Sequence, residues 1–279
     1  MEIRRFLLLP ICLLAFGMAP LAYSQSGVQL TDHSSLIPSL EPGVSQVLAE
    51  QRRAVLSNIS YQLEHSLPAE QAEPILGSNG ISFELSDAGQ PLVLDFRESA
   101  DKVLSVQVNG RGSDYEFGAE HLIIPGDELS KGTISVFIEF VAGDNSLNRN
   151  PEFLYTLFVP DRARTAFPLF DQPNLKATYE VSLSMPSHWD AISNGALLET
   201  VSQGERKLLR FVRSDSISSY LFSFVAGEFE RISREVDGRS ISMLHRESDE
   251  EKVARNVDAI FNLLLFSYLS LQGWSNSPS

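Results

Sequence analysis

At 279 residues, 43% of them apolar, the chain is long and oily enough for one large domain or two small ones with a sizeable core, which excludes general disorder. Its formal charge of −14 is spread over scattered acids, so it carries no basic footprint for nucleic acid or for an anionic membrane surface. The one cysteine, Cys12, lies in the N-terminal apolar segment, and the rest of the chain has neither disulfides nor thiolate metal sites.

Arg4 and Arg5 precede an apolar run from Phe6 to Leu21 that Pro10, Gly17 and Pro20 interrupt, and Ala22-Tyr23-Ser24 supplies small residues before a cut. This pattern predicts an export signal over residues 1–24 rather than a membrane anchor. The mature chain is expected to be exported, periplasmic or secreted, with no membrane attachment after cleavage. Losing Glu2, Arg4 and Arg5 makes it one unit more negative. Residues 25–42 are polar, without periodicity, and read as a linker.

Ser45 is placed to cap a short helix whose apolar positions are Val44, Val47, Leu48, Val55 and Leu56. Ile59, Tyr61 and Leu63 then alternate, which predicts a strand ending near Pro68. Further strands are predicted over Ile75–Leu85, Pro91–Phe96, Val103–Val108, His121–Ile124, Thr133–Ala142 and Phe153–Val159. Asn109-Gly110 suits a tight hairpin turn. Ile134, Val136, Ile138 and Phe140 share one face of their strand. Strands at this spacing without intervening helices indicate a mainly β fold, either a sandwich or a large saddle-shaped antiparallel sheet.

The run Arg164-Thr165-Ala166-Phe167-Pro168-Leu169-Phe170-Asp171-Gln172-Pro173-Asn174-Leu175-Lys176-Ala177 links two strands. Pro168 and Pro173 forbid a helix through it. Phe167, Leu169 and Phe170 are too apolar for an exposed loop, so this linker is expected to pack down. A clean alternation from Ala177 to Met185 follows, then a hairpin expected at Asn194-Gly195, a strand over Leu208–Val212, a block from Ser219 to Phe229 and a last strand over Arg239–Leu244. Ser248 is the expected cap of a helix with Asp249, Glu250 and Glu251 in its first turn, where the dipole favours acids. Val253, Val257, Ile260, Phe261 and Leu264 supply its apolar stripe. From Asn262 the character changes: Leu263, Leu264, Leu265, Phe266, Tyr268, Leu269, Leu271 and Trp274 make the segment apolar all round, a surface that needs a partner.

The words FPxFDxPxxKAxY at Phe167–Tyr179, then Trp189 and Ile192-Ser193-Asn194-Gly195, then the Ser219–Phe229 block, resemble the N-terminal β-domain of the aminopeptidase N family of zinc metallopeptidases. The resemblance runs from about Gly43 to Asn262. It implies that residues 43–247 are that β-domain and residues 248–279 the first helix of a truncated catalytic domain. The implied parent reaction is zinc-dependent hydrolytic release of N-terminal amino acids from peptides.

That chemistry needs His-Glu-x-x-His on a helix. The five histidines, His33, His65, His121, His188 and His245, include no pair four residues apart, and none precedes a Glu. Glu64-His65 and Glu120-His121 have the two residue types in the reverse order. There is no Gly-x-Ser-x-Gly elbow and no Gly-rich phosphate loop. No catalytic, substrate-binding or metal residue is assigned; zinc belongs to the parent family, and the chain alone is expected to be inactive. The expected partner is the missing catalytic domain, in the same chain or a separate one, and peptide substrates come only through it. In many family members the strand before the signature carries Gln or Glu side chains that hold the peptide's free amino end. Counting back from Asp171-Gln172-Pro173, the matching positions are Leu157 and Val159, and neither accepts a hydrogen bond. The alternative reading is an autonomous secreted binding module derived from that domain.

Overall fold

Among the described residues the first regular element starts at Ser45, whose Oγ accepts from the Leu48 amide at 3.2 Å and caps helix α1 (Gln46–Val55). The computed structural model describes residues 40–236 and 239–275. The predicted signal, most of the linker and His33 lie outside them, as do the side chains of Leu265, Phe266, Tyr268, Leu269, Leu271 and Trp274.

Helix α1 passes directly into β1 (Leu56–Ser66), whose inward positions are Ile59, Tyr61, Leu63 and His65. Strand β2 (Leu76–Leu85) alternates as predicted, whereas β3 (Leu92–Asp95) is buried at every position. Strands β4 (Val103–Val108) and β5 (Arg111–Gly112) flank Asn109 and Gly110, both with positive φ (51° and 76°), as a tight hairpin requires. Strands β6 (Glu116–Gly118) and β7 (His121–Ile124) turn through Ala119 and Glu120, also at positive φ. That hairpin uses neither Gly nor Asn, so composition left no trace of it. Strand β8 (Gly132–Val141) buries Ile134, Val136, Ile138 and Phe140 completely. Next come β9 (Leu147–Arg149), β10 (Phe153–Thr156), β11 (Thr178–Pro186), β12 (Asp190–Ser193), β13 (Leu197–Gln203) and β14 (Arg206–Phe211). The chain ends in β15 (Phe224–Gly227), β16 (Glu230–Val236), β17 (Arg239–His245) and helix α2 (Glu250–Ser275).

The fold is mainly β. Eight strands form one sheet in the order β13-β14-β11-β1-β2-β8-β4-β5, four another as β12-β15-β10-β9, three a third as β3-β7-β6, and β16-β17 form a hairpin. The large sheet is mixed rather than antiparallel throughout. Its β1 and β11 run parallel, with Tyr61 opposite Tyr179 and His65 opposite Leu183, while its other neighbours are antiparallel. A parallel pair needs a long crossover, and most of the domain lies between these two strands. The inner faces of the three larger sheets merge into one core that runs from Leu56 to Ala226.

Three local expectations are corrected. Asn194-Gly195 is not a hairpin: β12 pairs with β15 in the four-stranded sheet, whereas β13 pairs with β14 in the large one. The dipeptide is a crossover between sheets. Asn194 takes the Ser223 amide at 2.7 Å and donates to Leu221 O at 3.2 Å, and a Cβ on Gly195 would collide with the carbonyl oxygen of Val212. Strand β10 stops at Thr156, short of Val159: its pairing with β15 ends at Tyr155, and the next β15 amide, that of Phe224, bonds the Thr156 side-chain oxygen at 3.0 Å. The cap of α2 is Asp249, not Ser248: its Oδ1 accepts the amides of Glu251 (3.0 Å) and Lys252 (3.1 Å). Of the predicted stripe on α2, Phe261 is buried with the Arg234 guanidinium 4.6 Å over its ring, and Val253 and Val257 are half-buried. Ile260, Leu263 and Leu264 remain exposed. Among the described residues no helix is long and apolar enough to cross a membrane.

Candidate functional site

The segment with the signature words is packed down as expected: Phe167, Leu169 and Phe170 are buried. Leu169 extends the edge of β3 by exchanging backbone hydrogen bonds with Asp95 at 2.7 and 3.1 Å. Pro168 O accepts from Asn79 Nδ2 on β2 (2.8 Å), and the Phe170 amide donates to the Tyr61 hydroxyl on β1 (3.0 Å). Burial pushes the Tyr61 phenol well above its ordinary pKa. Gln172 Nε2 reaches Ala49 O on α1 at 3.0 Å. The segment therefore touches the helix, the large sheet and the three-stranded sheet at once.

A buried polar cluster holds this arrangement. Arg52 grips both carboxylate oxygens of Asp95, at 2.8 and 2.7 Å, and donates to Val93 O at 2.8 Å. The Asp171 amide donates to Asp95 Oδ2 at 2.8 Å. His121 Nδ1 stands 3.0 Å from Asp95 Oδ1 but off the hydrogen-bond direction, and its Nε2 lies 3.2 Å from Glu41 O. Burial alone would raise the Asp95 carboxyl, but the Arg52 guanidinium, and after it His121, outweigh burial and bring it to about 2. Asp171 accepts from Ser219 Oγ (2.6 Å) and from the Arg164 amide (3.1 Å), yet burial dominates and its carboxyl is raised. Asp95 and His121 have no solvent access, and the lone pairs of Asp95 are already engaged. Such a cluster ties α1, β3, β7 and the signature segment together; no substrate reaches it.

The histidines stand apart. His65 lies among Phe140, Phe167 and Phe224, and neither ring nitrogen has a partner. His188 is exposed, 3.3 Å from Glu228, and His245 is 3.9 Å from Glu230. Among the described residues no three of His, Cys, Asp and Glu are grouped to hold a metal ion. The donor set does not fit zinc: the Asp95 beside His121 is already neutralised by Arg52, His65 has no carboxylate near it, and the other two pairs offer two donors each.

The open surface lies elsewhere. Tyr155, Leu157 and Val159 are 42%, 47% and 52% exposed, while Thr156 and Phe158 between them are buried. Exposure thus alternates from Tyr155 to Val159, through the end of β10 and into the turn that follows it. Beside Tyr155 a depression of about 280 Å³ is lined by Ile192, Ser193, Asn194, Ser223 and Val225. Leu157 and Val159, the positions singled out by spacing, are thus both exposed, and their side chains offer no acceptor. The Arg52–Asp95–His121 cluster was not legible in the sequence: its members lie on separate elements, and no local pattern marks an Arg within a helix as the partner of a distant Asp.

This fold, with its signature segment clamped between sheets, has known counterparts. The Peptidase M1 N-terminal domain matches residues 57–221, more than half of the chain. The chain belongs to this family. Among curated relatives, the puromycin-sensitive aminopeptidase of Caenorhabditis elegans is 45% identical over 80 residues, which are 28% of this chain and 8% of that protein. Aminopeptidase N of Streptomyces lividans is 27% identical over 209 residues, 70% of this chain and 24% of that one. The chain thus spans less than a third of the length of these relatives. A crystal structure of an M1 zinc metallopeptidase from Deinococcus radiodurans shares the fold with TM-score 0.57 and 18% identity, over 67% of this chain and 46% of that one.

Proposed function

We propose that the chain is the non-catalytic N-terminal β-domain of an exported zinc aminopeptidase, periplasmic or secreted, whose reaction is hydrolytic release of N-terminal amino acids from peptides. The observation that carries this reading is the M1 N-terminal domain match over residues 57–221. It is supported by the aminopeptidase names of the relatives and by the donor chemistry of the described histidines, which does not suit zinc. In this reading zinc and the catalytic groups come from a catalytic domain, in the same polypeptide or a separate one. The β-domain supplies a rigid wall, and the open face of Tyr155, Leu157 and Val159 is turned to that partner. With Leu and Val there, the wall contributes shape and apolar contact, and the peptide's ammonium group is held by the partner.

The test is an amino-acid amide assay on purified chain, alone and with zinc, together with a search of the downstream coding DNA for His-Glu-x-x-His. No turnover from the chain and a motif downstream are expected. Chelator-sensitive turnover that scales with the chain alone would refute the reading. A second reading, a secreted binding module built on the same scaffold, draws on the core that closes within residues 56–226. It predicts that neither the chain nor its genetic neighbourhood yields peptidase activity, and that a ligand is captured by the β-domain alone.

A further inference from the structure

His65 is 2% exposed on β1, and both of its ring nitrogens are buried without a hydrogen-bond partner. Three phenylalanines from three different parts of the fold wall it in. Phe140 of β8 is edge-on at 5.9 Å, Phe167 of the signature segment edge-on at 6.4 Å, and Phe224 of β15 tilted at 5.4 Å. The residue opposite His65 on β2 is Gly77, and a Cβ there would come within 2.6 Å of the Phe140 ring. The missing side chain makes room for that wall. The ring thus sits where the large sheet, the four-stranded sheet and the signature segment meet.

No charge faces it. Glu64 on β1 points to the exposed side. The neighbours across β2 and β11 are Gly77 and Leu183. On β8, Glu139 lies on the exposed face and accepts from Ser105. Near Phe167, Arg164 pairs with Asp161, and Asp171 is engaged by Ser219 and the Arg164 amide. Strand β15 has no charged residue, and Glu228 just beyond it faces His188. A proton on His65 would find no counter-ion and no acceptor.

We propose that His65 is an acid-sensitive latch: its neutral ring pins the signature segment and the four-stranded sheet to the large sheet, and its protonation opens that junction. Burial brings the imidazole down from 6.5 to about 4, so the folded chain resists the proton that the opened chain accepts. The sign follows: the latch is closed above pH 6.5 and is progressively released as pH falls from 6.5 through 4. Between pH 6.5 and 4 the equilibrium for the closed form drops by roughly 80-fold. This inference does not depend on a catalytic partner.

The test compares the full mature chain with His65→Phe and His65→Gln between pH 7.5 and 4, by denaturant unfolding and by hydrogen exchange at the Phe167 and Phe224 amides. In the wild type the midpoint should fall with acid and both amides should lose protection early. In the variants that part of the fall should be absent. An equal acid fall in wild type and variants overturns the latch. If neither variant folds, the wild-type imidazole is titrated by NMR: protonation of His65 with both amides still protected overturns it, and coincident loss of protection supports it.

Discussion

Arg52 holds Asp95 through both carboxylate oxygens, and neither side chain has meaningful contact with water. The two are 43 positions apart, one on α1 and the other at the end of β3. Replacing Arg52 by Met should strand a buried carboxylate and cost about 3–5 kcal/mol, read as a lower urea midpoint with unchanged slope. Arg52→Lys should recover only part of this, because a single ammonium cannot span both oxygens.

The same pair sets an acid limit distinct from that of the histidine latch. The Asp95 carboxyl is depressed from 3.8 to about 2 in the folded chain. Its contribution is therefore complete above pH 3.8 and is lost as pH falls through 2, amounting to about 2 kcal/mol for this fully buried group. Unfolding of the wild type should steepen in that window. Asp95→Asn should be less stable at neutral pH yet flatter below pH 3.8. An Asp95→Asn profile parallel to the wild type there would contradict the assignment.

Phe167 touches His65, Phe158 and Phe222 and is fully buried. Phe167→Ala should cost about 3–5 kcal/mol through the cavity it leaves between two sheets. Thermal unfolding by circular dichroism checks this, and a loss under 1 kcal/mol would mean that Phe167 does not hold the two sheets together.

Gly195 sits where the chain crosses from β12 to β13 against the Val212 carbonyl. Gly195→Ala should destabilise by about 1–3 kcal/mol through overpacking, whereas Gly204→Ala in the β13–β14 turn meets open space and is penalised only by its φ of 70°. Denaturant midpoints of the two variants should separate them.

Leu157→Glu and Val159→Glu change side chains that pack on little within the chain. Each should leave stability within about 0.5 kcal/mol of the wild type. A large loss in either would show that the face is closed by part of this chain.

Much of the fold was legible from neighbours in sequence. The alternation in β1, β2, β8 and β11, the Ser45 cap, the Asn109-Gly110 hairpin and the burial of the Phe167–Phe170 run follow from side-chain direction and turn chemistry, which act over a few residues. The three-block signature named the family for the same reason: it is a string of local packing and turn requirements. The Ala119-Glu120 hairpin, the strands β9, β13 and β16, and the cap at Asp249 escaped, because weak local signals were resolved by contacts.

A mainly β scaffold with an apolar linker that packs down is written in the residue order, since hydrophobic period and proline geometry are properties of the local chain. That β1 lies parallel to β11, that Asn194-Gly195 crosses between sheets, that Arg52 neutralises Asp95 and that neither ring nitrogen of His65 has a hydrogen-bond partner among the described residues is set by packing between distant segments. Each of these depends on residues brought together from distant positions, and the charge state of a buried group is set by such neighbours and by the loss of water, neither of which is written in its own segment.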